Sequence, residues 1–427
     1  MNRMLERSQA PAFKSVESVK LAEAEKDVFQ NEIPLYSVGF ASQEVIKLEL
    51  VFEAGSAFEK KLGTSALFSK LLLGGTKTRT GSEIMAGFDQ YGGFIEVSSR
   101  IERLYIVLYG LKKYLDKYLT IIQDMLENSV FPEDELELQR KIALQNLKLN
   151  LGKSSYLANK EFKDVMFGSV NPYGKVLNSE SLETVTREDL VEFYETNVQG
   201  KSFRIFASGN VKDKEKQLLK SYFGSETYTA QNRLDIPFEI FSPSKRLVTL
   251  EDKMQSTIRL GKPLFDRMHP EFFQMAVTNT VFGGYFGSRL MTNIREDKGF
   301  TYGISSSVNP LRGFGYLMIG SDVVKENTQE TLNEIEKEIN LLRNEEVSQD
   351  ELETVKNYMS GSFAGSITTS FELMERNKNI ILSELPKGYY DNFIDRINAV
   401  TTAEVLEMAN KHLSMESLSE VVVGEKI

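Results

Sequence analysis

Five short landmarks recur in the same order, at nearly constant offset, along this chain of 427 residues. Gly74-Gly75, which closes an apolar run, returns as Gly283-Gly284 after 209 residues, and Gly93-Phe94 returns as Gly299-Phe300 after 206. The helix opening Asp134-Glu135-Leu136 matches Asp350-Glu351-Leu352, 216 on; Val185-Thr186 matches Val400-Thr401 and Gly209 matches Gly424, both 215 on. One match would mean little, but five in order imply two copies of one domain of about 200 residues. Repeats of ~20–50 residues build solenoids, whereas a period this long marks a duplicated domain.

Within each copy the pattern is mixed. Strand-like runs are Ile46–Phe52, Leu104–Tyr109 and Phe203–Ser208 in the first half, and Leu247–Leu250, Ile304–Val308 and Glu420–Val423 in the second. Helical periodicity is strong over Tyr114–Glu127, Glu133–Leu151, Glu330–Leu342 and Glu351–Ala364. Neighbouring strands followed by blocks of helices point to an α+β fold, with helices layered on one face of a sheet. Thr186 and Thr401 are candidate N-caps with acids three residues on, Asp189 and Glu404, and Ser348 with Glu351 reads as another capping box. The polar stretch 227–245 carries two prolines and is the expected linker between a first domain, 1–226, and a second, 246–427.

A 41% apolar content is ample for two cores, and a net charge of −10 argues against nucleic acid and gives no help at anionic membranes. With no cysteine there is no disulfide, thiolate metal site or cysteine nucleophile. The first 27 residues lack the apolar stretch of a signal peptide, and no run reaches the ~18 apolar residues of a membrane helix. A soluble, cytoplasmic protein is expected; a periplasmic one with its leader removed would read the same.

The most informative segment for chemistry is 282–308, FGGYFGSRLMTNIREDKGFTYGISSSV. Arg295 and Tyr302 offer a guanidinium fork and a phenol, donors suited to a peptide carbonyl or a developing oxyanion. The plainer alternative is a surface arginine on a helix and a half-buried strand tyrosine. Gly283, Gly284 and Gly287 are not followed by Gly-Lys-Ser/Thr, so they read as close backbone approach at a helix end, not a phosphate loop. Glu133, Asp134, Glu135 and Glu137 crowd a helix start and read as a solvated cap.

The stretch FGG-x-x-x-SRL followed by R-x-x-x-x-x-x-Y (Phe282–Leu290, Arg295, Tyr302), with VTREDLVEFY at 185–194 and NPYGKVL at 171–177, resembles the M16 metallopeptidases. That family includes pitrilysin, insulysin, the mitochondrial processing peptidase and core subunits of the bc1 complex. The resemblance covers essentially the whole chain. It implies two homologous domains, each a mostly antiparallel sheet with helices on one face, forming a half-shell that closes with a second half-shell around an unfolded peptide. It also implies that the run at 92–99, GGFIEVSS, corresponds to an edge strand that extends peptide substrates by β-addition.

Active members carry H-x-x-E-H on a helix of the first domain. Two His at i and i+4 share a helical face and a zinc ion, and the Glu polarises the bound water. Aligned on the following Gly-Thr, these positions are Ala66, Ser69 and Lys70 here, and the distant Glu ligand falls on Asn146. Ala66 has no ligand atom, Ser69 is a poor base, and Lys70 brings positive charge where a dication would sit. The two histidines, His269 and His412, lie in the other half, 143 residues apart. No metal is therefore expected in this chain.

In catalytic relatives the second-domain Arg–Tyr pair contacts substrate at the zinc site, and in two-chain bacterial members one chain carries zinc and the other the pair. The resemblance thus implies a subunit inactive alone, one component of a zinc metalloendopeptidase complex. Arg295 and Tyr302 would bind peptide at the zinc site of a partner homologue in a heterodimer; in isolation the chain would be a homodimer. The competing reading is a scaffold or peptide-binding module with no catalytic role. An independent hydrolase is disfavoured, since neither histidine accompanies a nucleophile-elbow serine.

Overall fold

The duplication is visible strand by strand. In a computed structural model, residues 16–426 are described apart from 17, 41–42, 232, 237, 239–241 and 251–252. The start of the chain, on which the signal-peptide reading rests, and part of the stretch 227–245 lie outside the described residues.

The first sheet is built from β1 (Glu25–Val28), β2 (Pro34–Val38), β3 (Val45–Phe52), β4 (Phe94–Ser99), β5 (Leu104–Leu111) and β6 (Arg204–Gly209), in the order β1-β2-β6-β3-β5-β4. The second contains β7 (Lys245–Val248), β8 (Gln255–Leu264), β9 (Thr301–Pro310), β10 (Gly315–Val324) and β11 (Ser419–Val423), in the order β7-β11-β8-β10-β9. Superposing the orders equates β2 with β7, β3 with β8, β4 with β9, β5 with β10 and β6 with β11; β1 is an added edge strand. In each copy one pairing is parallel, β2 with β6 and β7 with β11, and the others are antiparallel. The fold is α+β with two homologous domains.

The repeat landmarks acquire physical reasons. Gly209 and Gly424 each end a central strand with positive φ, 107° and 131°, and an added Cβ would lie 2.3 Å from the Val45 carbonyl oxygen or 2.5 Å from Ser256 Oγ. One pairing shifts by a residue: Gly299, at φ 69°, corresponds to Gly92, at φ 67°, not to Gly93. Both sit two residues before an edge strand, in the left-handed conformation that glycine adopts without penalty. The strand expected over Leu247–Leu250 is β7, shifted two residues toward the N-terminus, so Lys245 opens a strand.

Thr186 and Thr401 are both N-caps with complete capping boxes. Thr401→Ala should lower stability by about 1 kcal/mol in urea unfolding, the usual cost of a lost cap. Ser348 caps its helix, accepting the Glu351 N–H at 3.1 Å, but the reciprocal bond of the expected box does not form. The Glu351 carboxylate instead accepts from Arg289 Nε and Nη2, each at 2.8 Å. A bidentate, charge-assisted pair outcompetes a backbone contact.

Each copy packs its own helices on one face of its sheet. Alternating residues of β3 (Ile46, Leu48, Leu50, Phe52) join Phe68, Phe88, Tyr118 and Leu190 in one core. The other face is covered as well, by a helix exchanged from the opposite copy. Ser154–Phe167 lies on β8 and β11, and Ser370–Leu382 lies on β2 and β6. Phe162, Met166 and Phe167 thus pack with Val421 and Val423, while Leu373 and Met374 pack with Val38, Val51 and Phe206. Gly261 is required for this fit: a Cβ there would meet the Phe162 ring at 2.5 Å and the Leu317 carbonyl oxygen at 2.4 Å.

The stretch between the copies is pinned at its start. Thr229 exchanges backbone hydrogen bonds with Gly200 and Ser202, and the Gln231 side chain accepts the Glu53 N–H at 2.8 Å. Among the described residues no helix is long and apolar enough to cross a membrane.

Candidate functional site

Two surfaces carry the residues singled out by sequence. The first is the helix Thr64–Leu71, beside edge strand β4 and the helix Glu133–Leu151. The run at 92–99 does supply an edge strand, with β4 paired on one side only, to β5. Ser69 and Lys70 line a cleft with Gly74, Glu96, Glu135 and Gln139. Asn146, exposed, lies seven residues after Gln139 and so falls on the same side of its helix.

The backbone therefore brings the four positions onto adjoining helices, but their side chains do not suit a zinc ion. Ala66 offers no donor, Lys70 offers a cation, and the buried Ser69 hydroxyl donates to the Ala66 carbonyl at 2.9 Å. Among the described residues no group of three or more His, Cys, Asp or Glu side chains is placed to hold a metal ion. The crowded acids behave as a cap: Glu133, Asp134 and Glu135 occupy the first turn of their helix.

The two histidines meet in the second copy despite their separation in sequence. His269 stacks on Phe265 at 4.0 Å, and the His412 ring meets the same phenylalanine edge-on at 5.3 Å. His412 Nε2 lies 3.0 Å from the Glu271 carboxylate. Burial lowers the His412 pKa, favouring the neutral ring. Both are satisfied residues of a packed patch.

The second surface is built from 280–302. After the helix Phe272–Asn279 the chain widens into a π-helical turn, Thr280–Gly284, and soon into a second, Met291–Asp297. Such turns are rare and gather at functional sites. Gly283 lies against β9, where an added Cβ would be 2.7 Å from Ser306 Cβ and 2.8 Å from its nitrogen. This is the close approach at a helix end that the glycine pair leads one to expect.

Arg295 and Tyr302 are brought together. Arg295 Nε donates to the Tyr302 carbonyl oxygen at 3.1 Å, and the guanidinium carbon lies 4.6 Å above the Phe286 ring. Its remaining close charge is Glu296, at 3.7 Å. Tyr302 is 94% exposed and Phe286 63%, so both side chains face solvent, and it is the Tyr302 backbone carbonyl, not its phenol, that joins it to Arg295. The plainer sequence alternative, a half-buried strand tyrosine, does not hold. The guanidinium is held at one edge by backbone and on one face by an aromatic ring, which leaves its terminal nitrogens as donors. Phe286 lies inside the FGG-x-x-x-SRL stretch; an aromatic pair, Tyr285-Phe286, between Gly284 and Gly287 was its only sequence signal.

Asn293, two residues before Arg295, also escaped the sequence reading. Its buried amide donates to Glu334 at 2.8 Å and Glu338 at 2.7 Å, anchoring the π-helical turn to the helix Thr328–Asn344. The Asn293 hydrogen bond, offset in part by desolvation and aided by Lys337 and Lys298, lowers the Glu334 pKa to about 2. A depressed carboxylate contributes stability that is complete above its ordinary value near 4.5 and fades as pH falls toward 2. Asn293→Ala should therefore lower stability at neutral pH, with its difference from the parent protein narrowing below about pH 4.5. Urea midpoints measured from pH 7 down to 3 check this; a difference independent of pH would contradict it.

Comparison with known proteins agrees with this layout. The family model for the insulinase-type peptidases, M16, matches residues 40–157, and the model described as the peptidase M16 inactive domain matches 184–359. An uncharacterised zinc protease of Rickettsia bellii is 24% identical over 395 residues, covering 88% of this chain and 92% of that protein. A non-peptidase homologue, YmxG, of Helicobacter pylori is 24% identical over 421 residues, covering 95% of this chain and 94% of its own. The crystal structure of a peptidase M16 inactive domain from Pseudomonas fluorescens shares the fold, with a TM-score of 0.84 at 20% identity over 95% of this chain and 98% of that one. The duplicated α+β fold and the two family models lead to one conclusion: this chain is a member of the M16 peptidase family, and its sequence contains no H-x-x-E-H.

Proposed function

We propose that this chain is the zinc-less subunit of a two-chain M16 peptidase. In this reading it supplies Arg295 and Tyr302 to hold peptide backbone and stabilise the tetrahedral intermediate at a partner subunit's zinc site. One observation carries the reading: the Arg295 guanidinium is held between the Tyr302 backbone carbonyl and the Phe286 ring, beside the solvent-facing Tyr302 side chain. A guanidinium held on backbone and ring needs little ordering when an oxyanion forms, which is what makes such donors effective. The edge strand β4 supports peptide engagement, because its outer side offers free backbone groups.

Co-expression with an M16 homologue bearing H-x-x-E-H tests the proposal. The expected result is a co-purifying heterodimer that cleaves peptides, while neither chain alone does. A scaffold role is the second reading, favoured by the relative named a non-peptidase homologue. It predicts a stable complex whose turnover is indifferent to Arg295 and Tyr302.

A further inference from the structure

The NPYGKVL segment, residues 171–177, takes no part in the cluster just described, yet it forms one wall of a cleft of about 650 Å³ where the two copies meet. The opposite wall is the exchanged helix Ser154–Phe167, and the floor is the outer face of β10, with Tyr316 and Met318. Phe162, Ile101 and Leu311 make the interior apolar.

Its charge is one-sided. Lys160, Lys163 and Lys175 line the cleft, and among the described residues no carboxylate does. The acids beside them on the helix, Glu161 and Asp164, are both taken by Arg246, at 2.6 and 2.7 Å. Among the described residues none of the three lysines forms an ion pair. Tyr156 and Tyr316 add hydroxyls without a hydrogen-bond partner among the described residues, and burial raises both phenols so that they remain donors. A junction cleft with an apolar floor and a few convergent polar groups is the usual form of a small-ligand site.

We propose that this cleft binds an apolar carboxylate, a chain of roughly ten carbons whose carboxyl group is met by the lysines and phenols. The same chemistry has two sources, a fatty acid or the free C-terminus of an apolar peptide. The inference does not depend on the proposed partner subunit.

Isothermal titration of the full chain decides it, using decanoate, decylamine, and an apolar hexapeptide ending in phenylalanine as free acid or as amide. Binding of decanoate but not decylamine, or of the free acid but not the amide, supports the site, and the pair that discriminates identifies the source. The triple variant Lys160→Gln, Lys163→Gln, Lys175→Gln should bind roughly tenfold or more weakly, the scale of lost charge-assisted hydrogen bonds, with an unchanged thermal midpoint. The proposal is overturned if neither acid binds at millimolar concentration, if decylamine binds as well as decanoate, or if the triple variant keeps the parent affinity. Should the variant fail to fold, the headgroup comparison on the parent protein still decides.

Discussion

Replacing Arg295 with alanine is expected to lower kcat/KM of the complex with a zinc-bearing homologue by roughly 10²–10³-fold, the scale of one lost oxyanion donor. The loss should fall mainly on kcat, because an oxyanion exists in the transition state and not in the bound peptide. Tyr302→Phe removes a single hydroxyl from a side chain that is 94% exposed, so the backbone carbonyl anchoring Arg295 persists and turnover should fall without loss of assembly. Arg295→Lys keeps the charge but not the planar fork that rests on Phe286, and should restore only part of the rate. Phe286→Ala, which loosens the guanidinium without removing a donor, should cost no more than a few-fold, the scale of an exposed cation–π contact. Unchanged turnover in Arg295→Ala would refute the catalytic reading while leaving the family assignment untouched.

The second large effect concerns stability. On the sheet face covered by the exchanged helix Ser370–Leu382, Lys47 and Glu49 of β3 meet Glu375 and Lys378. Glu49 lies 2.8 Å from Lys47 and 2.5 Å from Lys378, and its side chain is 3% exposed. Burial opposes the charge on Lys47, but Glu49 and Glu375 hold its pKa above the ordinary lysine value. Burial likewise opposes the charge on Glu375, and Lys378 and Lys47 hold that carboxyl below its ordinary value. Glu49→Ala would leave two buried ammoniums facing one carboxylate, and should cost about 3–5 kcal/mol in urea unfolding. The exposed pair Lys60–Glu192 provides the contrast: Glu192→Ala should cost less than about 1 kcal/mol. Equal effects at the two positions would mean that the exchanged helix does not shield the network from water.

That network marks where sequence reading reaches its limit. Alternation along β3 assigns Ile46, Leu48, Leu50 and Phe52 to a core and leaves Lys47 and Glu49 pointing the other way, ordinarily toward water. What buries them is a helix more than 300 residues away, as the Lys47–Glu375 contact across 328 positions shows. Local periodicity carries no information about a partner at that distance. Helix Glu133–Leu151 was legible to the residue because its start and period are local. Strand β10 was not, because burial against both a core and an exchanged helix blurs its alternation.

The same division runs through the site. Arg295 and Tyr302 stood out as donors at fixed spacing within a recognisable motif, and the absence of any H-x-x-E-H was readable directly. The amino-acid sequence by itself thus determined the duplication, the family resemblance and the absence of H-x-x-E-H, since each depends on which residues occupy which positions. Only the tertiary structure decided that each sheet borrows a helix from the other copy, that Asn293 and Phe286 hold Arg295 in place, and that the NPYGKVL segment closes a lysine-rimmed cleft. Each of these depends on which distant surfaces meet, and that is settled by packing and desolvation over the whole chain.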